Sequence, residues 1–450
     1  MKIAVVGGGV SGLTAAYELG RAGADVLLLE GSDRLGGKLR LAEVDGVTLD
    51  VGAEALLARR PEATDLCAEI GLGDAIVHPE TTSAAIWTRG ALRPMPRTVM
   101  GIPADVDALM ASGIVERPPV SRPAPVPTDD VSVGEFVRDR VGDEVLDRLV
   151  EPLLGGVYAG HADDLSLAAA GAPIRELGDD LLAGAAAAKP SDTVGEPVFA
   201  GISGGVGRLP GALAEASGAE IRTGAVARDV RRSGVGWRIT LADGHEDVDA
   251  VVVATPAPAS SRLLASVAPE AAFELADLTY ASMAIVTFVV DGDVELTGPG
   301  GGAGPWAADC SGFLVPPVDG TAIKGSTFSS QKWSWLAESG RTALRASVGR
   351  AGDTALLHQD DATVAAAALA DLRRAIGHLP EPAQWHVQRW GGALPQYEVG
   401  HLDRMDVVDL AIAAEPGLEV CGAAYRGVGV PAVIASAQGA VTRLLADLGH

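Results

Sequence analysis

Near the amino terminus, Gly7-Gly8-Gly9-Val10-Ser11-Gly12 fits the spacing G-x-G-x-x-G. That spacing suits a pyrophosphate. The first glycine permits a tight turn, the second lets backbone approach the phosphates, and the third lets a helix pack closely on a strand. Val10 and Ser11 fall where the helix would begin, so N–H groups and a positive dipole end face the anion. Glu30 stands at the end of the next apolar run, where its carboxylate can accept from ribose hydroxyls and repel an extra ribose phosphate. A second pair of glycines lies in Arg34-Leu35-Gly36-Gly37-Lys38, with cations on either side to approach phosphates. Asp50-Val51-Gly52-Ala53-Glu54 then ends a strand-like run in glycine with a carboxylate close behind. Arg89, Arg93 and Arg97 recur every four residues near Trp87, and Arg389 precedes Trp390. Guanidinium groups of this kind suit carboxylates through paired hydrogen bonds.

These residues need elements to hold them. Residues 2–6 are short and apolar, residues 11–22 have helical spacing, and Asp25–Glu30 reads as a buried strand, which together make a β-α-β unit. Ile114–Asp130 holds five prolines and reads as a rigid, irregular connector. Ser132 and Glu135 have capping-box spacing, predicting a helix that runs to about Val150. Leu165–Lys189 also reads as helical. Strand patterns return at Ile221–Val230, Trp237–Leu241, Val248–Ala254, Thr279–Val290 and Ala322–Ser329. Thr363–Ile376 reads as a helix, and the chain closes with a strand at Leu418–Cys421 and a helix from Val430 to Leu448.

With 450 residues, two or three domains are expected. A net charge of −24 argues against nucleic acid and against broad adhesion to anionic lipid. Cys67, Cys310 and Cys421 are widely spaced and odd in number, which argues against a disulfide framework and against a metal site. No secretory signal is visible, and no apolar run is long enough to span a bilayer. The expected setting is the cytoplasm.

The Arg34–Lys38 stretch resembles the second glycine motif of the flavin amine oxidase superfamily, R-x-G-G-[RK]. Within it, several segments are similar to the soluble bacterial coproporphyrinogen III and protoporphyrinogen oxidases. They are Ala53–Pro61, Glu151-Pro152-Leu153-Leu154-Gly155-Gly156-Val157-Tyr158-Ala159-Gly160 with Asp163–Leu167, and Gly204–Leu209. Leu394–His401 and Gly422–Val430 complete the set, in order along the chain. The resemblance implies an α/β plus α+β architecture. A Rossmann-like FAD-binding domain of p-hydroxybenzoate-hydroxylase type would take residues 1–79, 199–258 and 404–450. A sheet-based substrate domain would take residues 80–96 and 259–403, and a mainly helical domain residues 97–198.

It further implies FAD as cofactor. The residues expected to hold it are Gly7, Gly9, Val10, Ser11, Gly12, Glu30, Arg34, Gly36, Gly37, Lys38, Val51, Gly52, Ala53 and Glu54. Val226, in a strand Ala225–Val230, would cover the adenine, and Val428, Gly429 and Val430 would line the flavin. The implied reaction is oxidation of coproporphyrinogen III in haem biosynthesis. Molecular oxygen would be the acceptor and hydrogen peroxide the product. Hydride would pass to flavin N5, and no side chain is assigned as catalytic. Arg89, Arg93, Tyr397 and Arg426 are the candidate substrate-binding residues, whereas His161 and His401 read as structural. The position of the propionate-anchoring arginine of eukaryotic relatives falls near Ala84, which has no charge. Transient contact with another haem-pathway enzyme is also expected. The rivals are a protoporphyrinogen IX oxidase, a flavin amine oxidase and a non-catalytic porphyrin carrier. An amine oxidase does not account for Glu151–Leu167.

Overall fold

The computed structural model describes residues 1–81, 83–188, 197–292, 294 and 309–449. Five parallel strands form a central sheet in the order 220–222, 25–29, 2–6, 250–253 and 418–420. Helices cover both faces, which explains why Val26–Leu29 and Ala250–Val253 are unbroken apolar runs rather than alternating ones. Val10–Arg21 and Val430–Asp447 pack on one face around Leu13, Leu19, Ile434 and Val441. The other face packs Val251, Val253 and Leu29 against Leu263, Leu275 and Val408. This is the doubly wound arrangement, in which ligands bind beyond the carboxyl ends of the strands.

A seven-stranded sheet has the order 384–395, 280–291, 341–348, 323–328, 310–314, 83–88 and 91–94. Its pairs are antiparallel except 310–314 with 83–88. Helix Asp361–Ile376 covers one face, burying Val286, Phe288, Leu344 and Ala346 against Val364, Ala368 and Leu372. The opposite face packs Val289 and Ala343 against Val44, Val47, Leu49 and Val51. Helices between residues 106 and 187 enclose a separate core of Phe136, Leu149, Leu154, Leu165 and Ile174.

Three local expectations need correction. Ser132 does cap its helix, its side chain accepting from Glu135 N at 3.1 Å, but that helix stops at Val141. Gly142 then adopts φ 88, which interrupts the helix for one residue, before helix resumes at Asp143–Val145, widens into a π-helical stretch over Leu146–Val150 and runs on as Glu151–Tyr158. Leu165–Lys189 contains two short helices, Ala172–Arg175 and Leu181–Ala187, and Lys189 itself lies outside the described residues. Ile221–Val230 divides into strands Glu220–Arg222 and Asp229–Ser233, and Val226 sits in the extended connection between them rather than in a strand. Among the described residues, no helix is long and apolar enough to cross a membrane.

Candidate dinucleotide site between the sheets

The first glycine loop is built to be side-chain free. A Cβ on Gly12 would stand 1.8 Å from the Gly7 carbonyl oxygen, and one on Gly7 would meet Ala254 O at 2.7 Å. Gly7 also has φ 113. These two glycines let strand, turn and helix touch. Gly9 differs, because a Cβ there would have no protein atom within 4 Å. It faces open space at the amino end of helix Val10–Arg21, which carries no side-chain cap. Val10 and Ser11 are buried, so what they present is backbone N–H. Glu30 accepts from Gly8 N at 2.6 Å and Ser32 N at 2.8 Å, which fixes its carboxylate beside the loop.

The second glycine motif folds onto the first. Gly36 N donates to Gly8 O at 2.8 Å, and a Cβ on Gly37 would come within 3.3 Å of Gly9 Cα. Arg34 donates to Gly37 O at 2.7 Å and Leu35 O at 3.2 Å, and its guanidinium lies 5.7 Å from the Trp390 ring centroid. Its guanidinium thus braces its own loop. Lys38 remains accessible yet is hemmed in by protein, and that partial burial lowers its ammonium below the ordinary value.

Lys38 also carries the chain to the third segment, since a Cβ on Gly52 would sit 2.1 Å from Lys38 O. Asp50 is buried and accepts from Val206 N and Gly207 N, each at 2.8 Å, tying this segment to the Gly204–Leu209 turn. Burial raises its carboxyl to about 6, against the two amide bonds that favour the ionised form. The Val51 carbonyl accepts from Trp390 Nε1 at 2.9 Å. Glu54 accepts from Lys332 Nζ at 2.8 Å, from Ser329 Oγ at 3.2 Å and from Arg345, whose other nitrogen reaches Gly52 O. Burial alone would raise the Glu54 carboxyl, but Lys332 and Arg345 outweigh it and hold it at about 2. Ala53 stays exposed. Arg345 and Trp390 thus clamp the Val51–Glu54 loop to the seven-stranded sheet, and Lys332 ties it to the short helix Ser329–Lys332. Lys332 and Arg345 had no motif to announce them, only isolated cations in strand-rich sequence.

From the opposite end of the chain, Val428-Gly429-Val430 leads into helix Val430–Asp447, whose N-cap Gly429 offers no side-chain acceptor. Its first N–H groups are free for a ligand. Val226 is 49% exposed beside Gly31, where a Cβ would approach its Cγ2 at 3.5 Å, so an apolar surface awaits a flat partner.

The four proposed substrate-binding side chains each have contacts within the protein. Tyr397 is buried, its hydroxyl donates to Ala423 O at 2.8 Å and accepts from Gly427 N at 2.7 Å, and its ring stacks on His401 at 3.9 Å. It is a brace for the Val428 segment. His401 Nε2 bonds to Tyr425 O at 2.6 Å, and burial lowers its pKa to about 4, so it stays neutral. Arg426 pairs with Asp406 at 2.7 Å and Asp409 at 2.6 Å on the surface. Arg89 binds Glu116 and, at 2.6 Å, Glu144. Arg93 packs against Gly113 and reaches Ser112 O at 3.4 Å, its Nε buried without a partner. Arg97 donates to Ala188 O, and Arg389 pairs with Asp361. The arginines share one reason: in an acidic chain a guanidinium finds an internal carboxylate or carbonyl first. His161, expected to be structural, bonds Glu151 at 2.9 Å.

The residues present fit a dinucleotide: open space at Gly9, two glycine loops in contact, an uncapped helix end and an apolar cover at Val226. A family model for flavin containing amine oxidoreductases matches residues 10–445. A protein named coproporphyrinogen III oxidase from Mycobacterium tuberculosis is 36% identical, covering 99% of this chain and 97% of its own length. One of the same name from Bacillus subtilis is 30% identical, covering 99% and 98%. A solved structure of a candidate protoporphyrinogen oxidase from an Exiguobacterium species superposes with a TM-score of 0.87. It has 32% identity, covering 100% of this chain and 99% of that one.

Proposed function

The chain belongs to the family of flavin containing amine oxidoreductases and is an FAD-dependent oxidoreductase, and from that premise we propose that it oxidises coproporphyrinogen III to coproporphyrin III in haem biosynthesis. Oxygen is the acceptor and hydrogen peroxide the product. The observation that carries the substrate class is similarity at 30–36% identity over nearly the full chain to proteins named coproporphyrinogen III oxidase. In this reading residues 1–79, 199–258 and 404–450 carry FAD, 80–96 and 259–403 carry substrate, and 97–198 form the helical domain. The protein works in the cytoplasm and meets another haem-pathway enzyme transiently.

FAD supplies a two-electron acceptor for a hydride from a saturated carbon between pyrroles. The chain's own work is holding and shielding. Gly9 and Gly37 would leave room for the pyrophosphate, and the N–H groups of Val10, Ser11 and Gly12 would donate to it. Glu30 takes the ribose and Val226 covers the adenine. Gly36, Lys38, Val51, Gly52 and Ala53 line the path onward, with Glu54 anchoring that path through Lys332 and Arg345. The amino end of helix Val430–Asp447, with Val428 and Gly429, would hold the flavin end of the cofactor and favour negative charge there. Pyrrole nitrogens activate the leaving hydride themselves, so positioning and exclusion of water carry the rate.

The test is steady-state kinetics on coproporphyrinogen III and protoporphyrinogen IX side by side, in air, with peroxide measured. A higher kcat/KM for coproporphyrinogen III, with porphyrin fluorescence and peroxide rising together, is expected. Turnover of amines with neither porphyrinogen touched would overturn the proposal.

A further inference from the structure

Strand Ile323–Phe328 carries Lys324, which among the described residues makes no ion pair with an acid. Ile323 points into the core under helix Asp361–Ile376, whereas Lys324 reaches Met283 Sδ at 3.9 Å. Lys324 is only 4% exposed, and Arg350 beside it is 8% exposed. Arg350 Nη2 donates to Val315 O at 2.9 Å, but its Nη1 is buried without a partner. Among the described residues, neither cation has a carboxylate within ion-pair distance. Two neighbouring buried cations with no carboxylate in ion-pair contact are costly, Glu151 and Asp353 offsetting Arg350 only through space, and an incoming anion lowers that cost.

The location is suggestive of a ligand. Met283 lies opposite Trp390, which touches Val51 O and stands against Gly52. On the other side Gly155 of helix Glu151–Tyr158 lies against Arg350, and Gly156 lies against Leu314. Lys324 therefore sits between the flavin-binding loop and a helix surface stripped of side chains. The neighbouring charges are engaged elsewhere. Glu151 accepts from His161 at 2.9 Å and Ala162 N at 2.7 Å, and Arg345 is bound to Glu54. Asp371, on the far face, accepts from Ala322 N and Ile323 N. Asp353 faces Arg350 without pairing to it.

We propose that Lys324 and Arg350 form an anion subsite that receives one carboxylate arm of the tetrapyrrole. This rests on the porphyrinogen reading above. It also supplies what the committed surface arginines do not. Burial first, and then the Arg350 charge, lower the Lys324 ammonium to about 7 in the free protein. A bound carboxylate raises it again, so binding takes up a proton above that pH. Affinity is then greatest below pH 7 and falls by about tenfold per unit above it, up to the bound-state value.

The experiment titrates FAD-loaded protein with coproporphyrin III and with its tetramethyl ester, following porphyrin fluorescence, for wild type and Lys324→Met. The variant should bind coproporphyrin III about tenfold to a hundredfold more weakly and bind the ester as wild type does. Methionine fills the space without a charge, so flavin content should be unchanged and Tm should hold or rise. Calorimetry of the wild type at about pH 8, in two buffers of different ionisation heat, should show proton uptake without any variant. Equal affinity of both proteins for coproporphyrin III, an equal loss on the ester, or no proton uptake would sink the subsite. If the wild type oxidises coproporphyrinogen III while the variant binds normally, only the subsite falls. If the wild type neither oxidises coproporphyrinogen III nor binds its product, the reading of function falls and the subsite with it.

Discussion

Two glycines three residues apart illustrate how differently one residue type is used. Gly12 has no space for a Cβ, whereas Gly9 has nothing near it. Gly9→Val should therefore leave the fold intact and displace the pyrophosphate, giving folded protein without flavin. A flavin-to-protein absorbance ratio after gel filtration checks this, and a normal ratio would refute the loop assignment. Gly12→Val should instead fail to fold. Glu54 makes a prediction in pH. Its carboxyl is held at about 2, below its ordinary 4.5, so its contribution is complete above about 4.5 and is lost as pH falls toward 2. The shift corresponds to about 3 kcal/mol. Glu54→Gln should flatten the fall of Tm between those pH values and lower Tm at neutral pH, because Lys332 and Arg345 lose their partner. Asp50 acts in the other direction. Its raised carboxyl, about 6 against an ordinary 3.8, adds stability below about 4 that is lost as pH rises through 6.

Elements convert these residues into a site. The helix Val133–Val141 is started by Ser132, and Ser132→Ala should cost about 1 kcal/mol. Because this helix lies in the helical core and not at the nucleotide loops, flavin content should stay normal while the urea midpoint falls. Tyr397 works on a different element. Its hydroxyl joins the Ala423 carbonyl to the Gly427 amide, so it sets where helix Val430–Asp447 begins. Tyr397→Phe leaves a buried N–H unmet, at a cost of about 1–3 kcal/mol. The measurable result is a weaker FAD Kd in a fluorescence titration. An unchanged Kd would return Tyr397 to simple packing.

At the scale of the whole molecule, loops distant in sequence converge between two sheets, and FAD bridging them should act as a staple. Ligand that binds only the folded state stabilises by about 4 kcal/mol when free at a thousand times its Kd. Stripping FAD should lower Tm, and adding it back should restore Tm in a concentration-dependent way. A Tm indifferent to FAD would mean that the groove is not where the cofactor sits. The anchoring of Glu54 to Lys332, 278 residues later in the chain, makes the same junction depend on tertiary contact even before ligand arrives.

Short-range physics made part of this protein legible from sequence. Strand Lys2–Val6, helix Val10–Arg21 and strand Asp25–Leu29 follow from local apolar pattern, and the Ser132 cap from two residues three apart. The glycine loops were readable because backbone geometry leaves only glycine at Gly7 and Gly12. Other features depended on partners that no local pattern names. The helix after Ser132 breaks at Gly142, and Val226 lies in a connection whose path follows Glu30 and Ser32 through backbone bonds. Arg89, Arg93, Tyr397 and Arg426 resembled binding groups, yet tertiary neighbours claimed them. Lys332, Arg345 and Lys324 look unremarkable in sequence until folding gives Lys332 its partner and buries the other two, since the meaning of a charge is decided by what lies within a few ångströms of it.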